Sequence, residues 1–211
     1  MKIRTFGFFL AKELSMEMEN SKKLDQMHPI SEQIKADSVV HDLLKLYNQV
    51  LIKYCEHLDI KQLSRIAGMI AEKKRVILFG ISEAQLIASD FQYKLMEIGV
   101  DAILPVVPTI FWKQEFNVGS GDVTLIISMG GDSRDLLDIT SLLQRRESRI
   151  VLLQGTEDEK FSVFAEEIIN IECTEVIPSM RMIASRTLIS FVLDIIYLLI
   201  HLNIEGQRVE N

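Results

Sequence analysis

The sequence contains few cysteines and no excess of basic residues, and these two shortages exclude several classes of protein. Only two cysteines, Cys55 and Cys173, occur in 211 residues, so a small secreted scaffold stapled by disulfides is excluded. Lysine and arginine total 23 against 30 aspartates and glutamates, which gives a formal net charge of −7. Because a nucleic-acid-binding module usually presents a basic face, we do not expect this chain itself to contact DNA.

The sequence also lacks a recognisable signal sequence and a long uninterrupted hydrophobic run. The longest apolar run, Leu188–Leu202, contains Asp194 and His201 and is shorter than the roughly 20 apolar residues that a membrane span needs. It is typical of a buried core or interface helix. We therefore expect a cytoplasmic protein with no membrane partner, in which both cysteines are reduced.

Metal and cofactor signals are also scarce. The four histidines, at positions 28, 41, 57 and 201, show no spacing typical of a metal site. We expect neither a metal nor a cofactor.

Five short apolar runs recur along the chain after residue 74. Most are continuous rather than alternating, which is typical of strands covered on both faces in a parallel sheet. The predicted strands are Arg75–Gly80, Val100–Val107, Asp122–Ser128, Arg149–Leu153 and Glu167–Ile171. The predicted helices are Ser38–His57, Ile60–Lys73, Glu83–Ile98 and Ser133–Arg146. This alternation predicts a doubly wound α/β fold, in which ligands bind beyond the carboxyl ends of the strands.

The most informative segment is Asp122–Asp135 (DVTLIISMGGDSRD), in which a short turn rich in serine and glycine joins a strand to a helix. Backbone N–H groups and the positive end of a helix dipole converge at such a junction, which suits an anion such as phosphate. Ser128 and Ser133 are the hydroxyl candidates, although on local sequence alone both are equally typical of turn and helix-cap positions. A second candidate strand end is Gly80–Ala84.

Three segments within Ser38–Ile204 carry a family resemblance. Phe79–Gly99 (FGISEAQLIASDFQYKLMEIG) resembles a loop of the form FGxGxS followed by a helix with A-x-D and K-L-x-x-x-G. Ser128–Asp135 (SMGGDSRD) resembles the pattern S-x-S-G-x-T-x-E, and Ser185–Leu199 resembles a characteristic final helix. On these motifs the chain resembles the sugar isomerase (SIS) domain, most closely the C-terminal effector domain of RpiR-type transcriptional regulators.

The resemblance implies a three-layer α/β/α sandwich with a five-stranded parallel sheet, assembled as a homodimer or higher homo-oligomer. It also implies a pocket for a sugar phosphate or amino-sugar phosphate. Two apolar stretches, Leu43–Tyr54 and the last helix, are the predicted dimer contacts. Carried over position by position, the ligand-binding residues are Gly80, Ser82, Glu83, Ser128, Gly130, Gly131 and Ser133.

This chain departs from the family pattern within that pocket. Ser82 replaces a glycine, whereas Ala84 and Gly130 replace serines. Losing a hydrogen bond to a charged ligand costs about 1.5–3 kcal/mol, so we expect phosphate to be held mainly by backbone N–H groups and the two remaining serines. Glu83 adds a negative charge, which leaves two roles open: it repels phosphate, or it binds a sugar hydroxyl or amine.

The start of the chain differs in character from the rest. Residues 1–30 form a polar, methionine-rich segment that we predict to be helical, and residues 31–211 form the predicted SIS domain. RpiR-type regulators carry a helix-turn-helix domain before the effector domain, and Ile3–Ser15 resembles the end of such a domain. We expect DNA contact only through a domain that is not present in this chain. The chain is therefore either a fragment or a regulator without its DNA-binding domain.

These observations predict a non-catalytic, ligand-sensing domain of an RpiR-type transcriptional regulator that binds a phosphosugar-like effector. A stand-alone sugar-phosphate aldose–ketose isomerase and a degenerate dimerisation module are the alternatives. An isomerase needs a group that moves a proton, and Glu172 and Glu175 are the only carboxylates that the sequence places near the pocket. A solvated loop is the simpler interpretation of both.

Overall fold

The computed structural model describes residues 36–209 apart from 74, 81–82, 106–117, 130–133, 156–160, 162, 172, 174–175 and 177. The chain divides into two compact units, Met1–Leu58 and Asp59–Asn211. The first unit contributes helix α1 (Val39–Glu56), which begins beside a hydrogen bond from Ser38 Oγ to Asp42 Oδ2 of 2.7 Å. The predicted helical segment within residues 1–30 lies outside the described residues.

The second unit alternates helices and strands as the sequence predicts. Its elements in chain order are α2 (Ile60–Lys73), β1 (Arg75–Gly80), α3 (Ala84–Glu97), β2 (Asp101–Ile103), β3 (Val123–Ser128), α4 (Arg134–Arg145), β4 (Arg149–Gln154), β5 (Glu167–Asn170) and α5 (Pro178–Val209). The strands form one five-stranded sheet in the order β2-β1-β3-β4-β5, and every pair is parallel. The predicted fold class is therefore confirmed.

Strand β2 is shorter than the predicted Val100–Val107. Its pairing with β1 covers only Asp101–Ile103, and Pro105 follows two residues later. Proline has no backbone N–H to donate to a neighbouring strand, which disfavours extension of the ladder to Pro105. The last two residues of the predicted strand, 106 and 107, lie outside the described residues. The apolar residues around the proline misled the prediction because composition does not report hydrogen-bonding capacity.

Both faces of the sheet are buried, which explains the continuous apolar runs. On one face, strand residues pack with α4 in a cluster whose members include Ile77, Phe79, Ile126, Leu152, Ile139, Leu143 and Phe161. Because side chains alternate along a strand, Val76, Leu78, Leu125 and Ile127 point to the other face, and all four are fully buried. Helices α2 and α3 contact the sheet there, and α5 packs against both of them.

Helix α5 is the long apolar helix predicted from Leu188–Leu202. Within the described residues, Ser179–Gly206 is the one segment long and apolar enough to suit a membrane span. An 18-residue stretch of it has a mean hydropathy of 2.0, and 44% of that stretch is buried inside the structure. Length and composition do not separate a membrane span from a core helix. Its packing against α2 and α3 is that of a core helix, and Lys94 Nζ of α3 donates to Asp194 Oδ1 of α5 over 2.7 Å.

Two helices end in the same backbone motif but with different residues at the critical position. Gly99 follows α3 with a φ of 83°, and Glu147 follows α4 with a φ of 59°. In both cases the next N–H returns to the last turn, from Val100 to Leu95 and from Ser148 to Leu143, as in a Schellman cap. A side chain is strained in this left-handed conformation, so Glu147 stores a local cost that glycine avoids.

We expect opposite stability changes at these two caps. Glu147→Gly should raise the free energy of unfolding by about 0.5–1 kcal/mol, and Gly99→Ala should lower it by about 1 kcal/mol. Urea denaturation of each variant and of wild type would give both differences in the free energy of unfolding, provided that the m-values are equal. Changes of the same sign in both variants would contradict the left-handed assignment.

Glu167, the first residue of β5, is expected to make the stability of the fold depend on pH. Glu167 accepts hydrogen bonds from Arg65 and Gln62 of α2, at 2.7 Å and 2.9 Å. The hydrogen bond from Arg65, reinforced by its charge and by Gln62, holds the pKa of Glu167 below the ordinary value of 4.5 against the opposing effect of burial. A lowered carboxyl pKa contributes stability that is present above the ordinary value and is lost as pH falls through the folded-state pKa.

Wild type should therefore lose stability between pH 5 and pH 3 faster than Glu167→Gln, which has no such carboxyl to protonate. Urea midpoints measured at several pH values would test this. The exposed Glu97→Gln is the matched control and should follow wild type. Parallel curves for wild type and Glu167→Gln would show that this pair does not contribute.

Candidate functional site

The strand order creates a crevice between β1 and β3. These strands are neighbours, but the chain leaves β1 through α3 and leaves β3 through α4, and these helices cover opposite faces of the sheet. The carboxyl ends of β1 and β3 therefore flank a topological switch point, where open α/β sheets bind ligands. The two strand ends that the sequence singled out thus meet at one edge.

Gly80 closes β1 and lies directly beneath the first turn of α3. A Cβ at Gly80 would stand 2.4 Å from both the N and the Cα of Gln85, a distance that no side chain tolerates. Glycine is therefore required for close approach rather than for a special turn. The consequence is that the amino terminus of α3, the positive end of its dipole, lies against the carboxyl end of β1.

Glu83 precedes α3 and is exposed. Its side chain makes no capping hydrogen bond to the helix. Its carboxylate therefore acts at this helix terminus through charge alone, which favours the helix but opposes a second anion. Ala84, where the family pattern has a serine, is fully buried, so the chain offers no hydroxyl at that position.

Ser128 closes β3 and is 5% exposed. Its carbonyl accepts a hydrogen bond of 2.8 Å from Gly155 N. A Cβ at Gly155 would stand 2.8 Å from the Met129 carbonyl oxygen, so the backbones that follow β3 and β4 are tightly packed. Ser128 is consequently held on a rigid strand end, six residues before α4 begins.

The structure brings Gly80, Glu83 and Ser128 to the same edge of the sheet. The other predicted ligand residues, Ser82, Gly130, Gly131 and Ser133, lie outside the described residues, as do Asp132, Glu172 and Glu175. Their contacts stay predictions. Within the described part of the chain, no group of three or more His, Cys, Asp and Glu residues is placed to hold a metal ion.

Sequence reasoning missed two polar residues at this edge. Gln154 closes β4 and Asn170 closes β5, and they pair in register beside Ser128. Gln154 Nε2 donates to Asn170 Oδ1 over 2.7 Å, and Gln154 is only 4% exposed. A polar residue directly after the apolar run was the available signal for Gln154, whereas Asn170 lies between Ile169 and Ile171 and gave no such signal.

Cys173, just beyond β5, is a buried thiol near the same edge. Burial raises its pKa, although a hydrogen bond with Ser185 and the charge of Arg181 act in the opposite direction. The thiol is therefore protonated at neutral pH and is a poor nucleophile. This agrees with its interpretation as an ordinary apolar side chain.

Two relatives carry the name of HTH-type transcriptional regulators. One, from Providencia stuartii, is 28% identical over 116 residues, which are 54% of this chain and 41% of that protein. The other, from Clostridium perfringens, is 21% identical over 91% of this chain and 68% of its own length. The match thus spans less than half of the first relative.

Solved structures share the fold at low sequence identity. The Vibrio vulnificus NanR protein, solved in complex with ManNAc-6P, superposes with a TM-score of 0.68 at 16% identity, over 92% of this chain and 73% of that one. A phosphoheptose isomerase from Francisella tularensis gives a TM-score of 0.59 at 18% identity, over 77% and 98%. A protein that binds ManNAc-6P and a phosphoheptose isomerase therefore share this architecture.

The family model for the SIS domain matches residues 69–199. That stretch runs from within α2 to within α5 and includes the whole sheet and both strand ends at the switch point. Since the match covers more than half of the sequence, this chain belongs to the SIS domain family.

Proposed function

We propose that this chain is the ligand-sensing SIS domain of an RpiR-type transcriptional regulator and that it binds a phosphosugar-like effector without chemical turnover. The observation that carries the proposal is the crevice between β1 and β3, where Gly80, Ser128 and the amino terminus of α3 meet. The regulator names of the two relatives support the regulatory role. NanR, whose structure contains ManNAc-6P, supports a sugar phosphate as the effector class.

The ligand would lie with its phosphate near the helix amino termini and its sugar along the carboxyl edge. Backbone N–H groups at a helix terminus bind an anion without a charged side chain. Ser82, Gly130, Gly131 and Ser133 complete the proposed contacts, with residues 31–211 as the domain and residues 1–30 as a separate helical segment. DNA contact would come from a helix-turn-helix domain outside this chain, in the cytoplasm.

Electrostatics at the crevice give this proposal a directional test. Glu83→Gln should tighten binding of a hexose 6-phosphate, because it removes a like charge from the helix terminus. Ser128→Ala should weaken binding by about tenfold, since a hydrogen bond to a charged ligand is worth about 1.5–3 kcal/mol. Calorimetric titration against a panel of hexose and amino-sugar phosphates would measure both effects.

Glu97→Gln is the matched control for Glu83→Gln, because it makes the same change of charge at the other end of α3 and should leave affinity unchanged. Wild-type protein that binds no member of the panel would refute the proposal. An unchanged or weaker affinity in Glu83→Gln would show that the phosphate is not held at this terminus.

An aldose–ketose isomerase is the second candidate, favoured by the fold shared with the Francisella tularensis enzyme. Among the described residues, neither Glu83, which is exposed, nor Cys173, whose pKa is raised, is an evident proton-transfer group. Incubation with hexulose and pentulose phosphates, followed by NMR, would detect isomerisation. Turnover that is lost in Glu172→Gln or Glu175→Gln would establish catalysis in place of sensing. If the protein shows neither ligand binding nor turnover, the third interpretation remains, a degenerate dimerisation module.

We also propose a homodimer that uses the exposed apolar surfaces of α1 and α5. Val40 and Leu44 of α1 are 71% and 58% exposed, and Leu198 of α5 is 49% exposed. Exposed apolar side chains that do not serve the core are typical of association surfaces. Because the resemblance to the SIS domain implies a homo-oligomer, a second copy of the chain is the partner that we propose for these surfaces.

Light scattering at micromolar concentration should give the mass of two chains or more. Leu198→Glu should shift the equilibrium towards the monomer, because it places a charge in the contact, while the thermal midpoint of the dilute protein should change little. Tyr93→Glu on α3, outside the proposed contact, is the control. A wild-type monomer would contradict the proposed assembly.

A further inference from the structure

The carboxyl edge of the sheet carries a row of three uncharged polar residues. Ser128 pairs with Gln154, and Gln154 pairs with Asn170. Residues that pair in register in a parallel sheet point to the same face, so the three side chains form one row. With strands about 4.8 Å apart, the row extends roughly 10 Å from β3 towards the sheet edge. We name these three residues the polar row.

The polar row lies on the face of the sheet that α4 covers. Ser128 is two residues beyond Ile126, and Gln154 is two residues beyond Leu152, and both of these apolar residues pack in the cluster with α4. Because α4 follows β3, its amino terminus is at the same edge of the sheet. Gln154 is therefore beside both the proposed phosphate contact, Ser128, and the start of that helix.

The Gln154 side chain is buried but keeps hydrogen-bonding capacity. Among the described residues, Asn170 is its partner, over 2.7 Å. A carboxamide has two N–H donors and an oxygen that accepts, so one N–H and the oxygen have no partner among the described residues. No charged group takes part in this row. These three residues would give a protonated amine no counter-charge in return for the water it loses, whereas a neutral amide would gain both a donor and an acceptor.

We propose that Gln154 is a specificity-determining residue that contacts the ligand and selects an uncharged acetamido group on the sugar phosphate over a free amine. This inference rests on the proposed function, because it assigns a ligand class to the same crevice. The acetamido N–H and carbonyl bind the Gln154 carboxamide while the phosphate stays at the helix termini. Asn170 fixes the orientation of the Gln154 side chain through their mutual hydrogen bond.

The test compares sugars that differ only at one substituent. N-acetylmannosamine, mannosamine and mannose 6-phosphates, with the corresponding gluco series, would be titrated calorimetrically into wild type. The acetamido sugar should bind about tenfold more tightly than the amino sugar of the same series. Gln154→Glu should reduce that ratio by about tenfold, because a carboxylate attracts the amine and cannot donate to the acetamido carbonyl.

Gln144→Glu is the matched control. It makes the same chemical change on α4 near the opposite edge of the sheet, where Gln144 Nε2 donates to the Val163 carbonyl, and it should leave the ratio unchanged. If Gln154→Glu does not fold, Gln154→Met is the second variant, because it keeps the side-chain length and introduces no charge. It should remove most of the advantage of the acetamido sugar over the plain hexose phosphate.

The outcomes separate the two proposals. Wild type that binds sugar phosphates with ratios unaffected by either Gln154 variant would overturn the role of Gln154 and leave the proposed function intact. A wild-type preference for the amino sugar would overturn the selectivity itself. Wild type that binds no sugar phosphate in either series would overturn the proposed function, and this inference with it.

Discussion

The parallel pairing of β1 with β3 is the interaction on which the rest of the structure depends. Five registered pairs, from Val76 opposite Val123 to Gly80 opposite Ile127, hold the two strands together. Both strands are buried on both faces, so a slip of one residue would exchange the side chains of the two faces. It would also move Gly80 from beneath the first turn of α3, where no other residue fits. Burial of the core and the shape of the crevice are therefore set by the same register.

The two edges of the sheet differ in their chemistry. Ion pairs stabilise the amino edge, where Arg149 binds Glu166 at 2.7 Å and Arg65 binds Glu167 at 2.7 Å. Among the described residues, the carboxyl edge carries the uncharged side chains of Ser128, Gln154 and Asn170 together with the acidic side chain of Glu83. Since an ion pair would compete with an anionic ligand for its partners, ion pairs at the amino edge leave the carboxyl edge suited to the proposed anion site.

Helix α3 connects the crevice to the outer surface of the molecule. Its first turn touches Gly80, and its last turns bind α5 through Lys94, which lies 2.6 Å from Asp90 and 2.7 Å from Asp194. The same helix thus contributes to the ligand site, to the buried core through Phe91 and Leu95, and to the contact with α5. A substitution on the buried face of α3 affects several of these at once, so substitutions elsewhere, such as those at Gln154, are better suited to test the proposed ligand recognition apart from stability.

The sequence by itself determined the class of fold, most element boundaries and the two strand ends that meet at the switch point. Continuous apolar runs predicted buried parallel strands because such strands need apolar residues on both faces, and the loop after Ile127 carried its own signature. Tertiary structure decided what local patterns cannot encode. Pro105 disfavours a longer β2 because it cannot donate to a neighbouring strand. Gln154 lies beside Ser128 only through the pairing of β3 with β4, which depends on strand order. The contact of Gln85 with Gly80 depends on the path of α3.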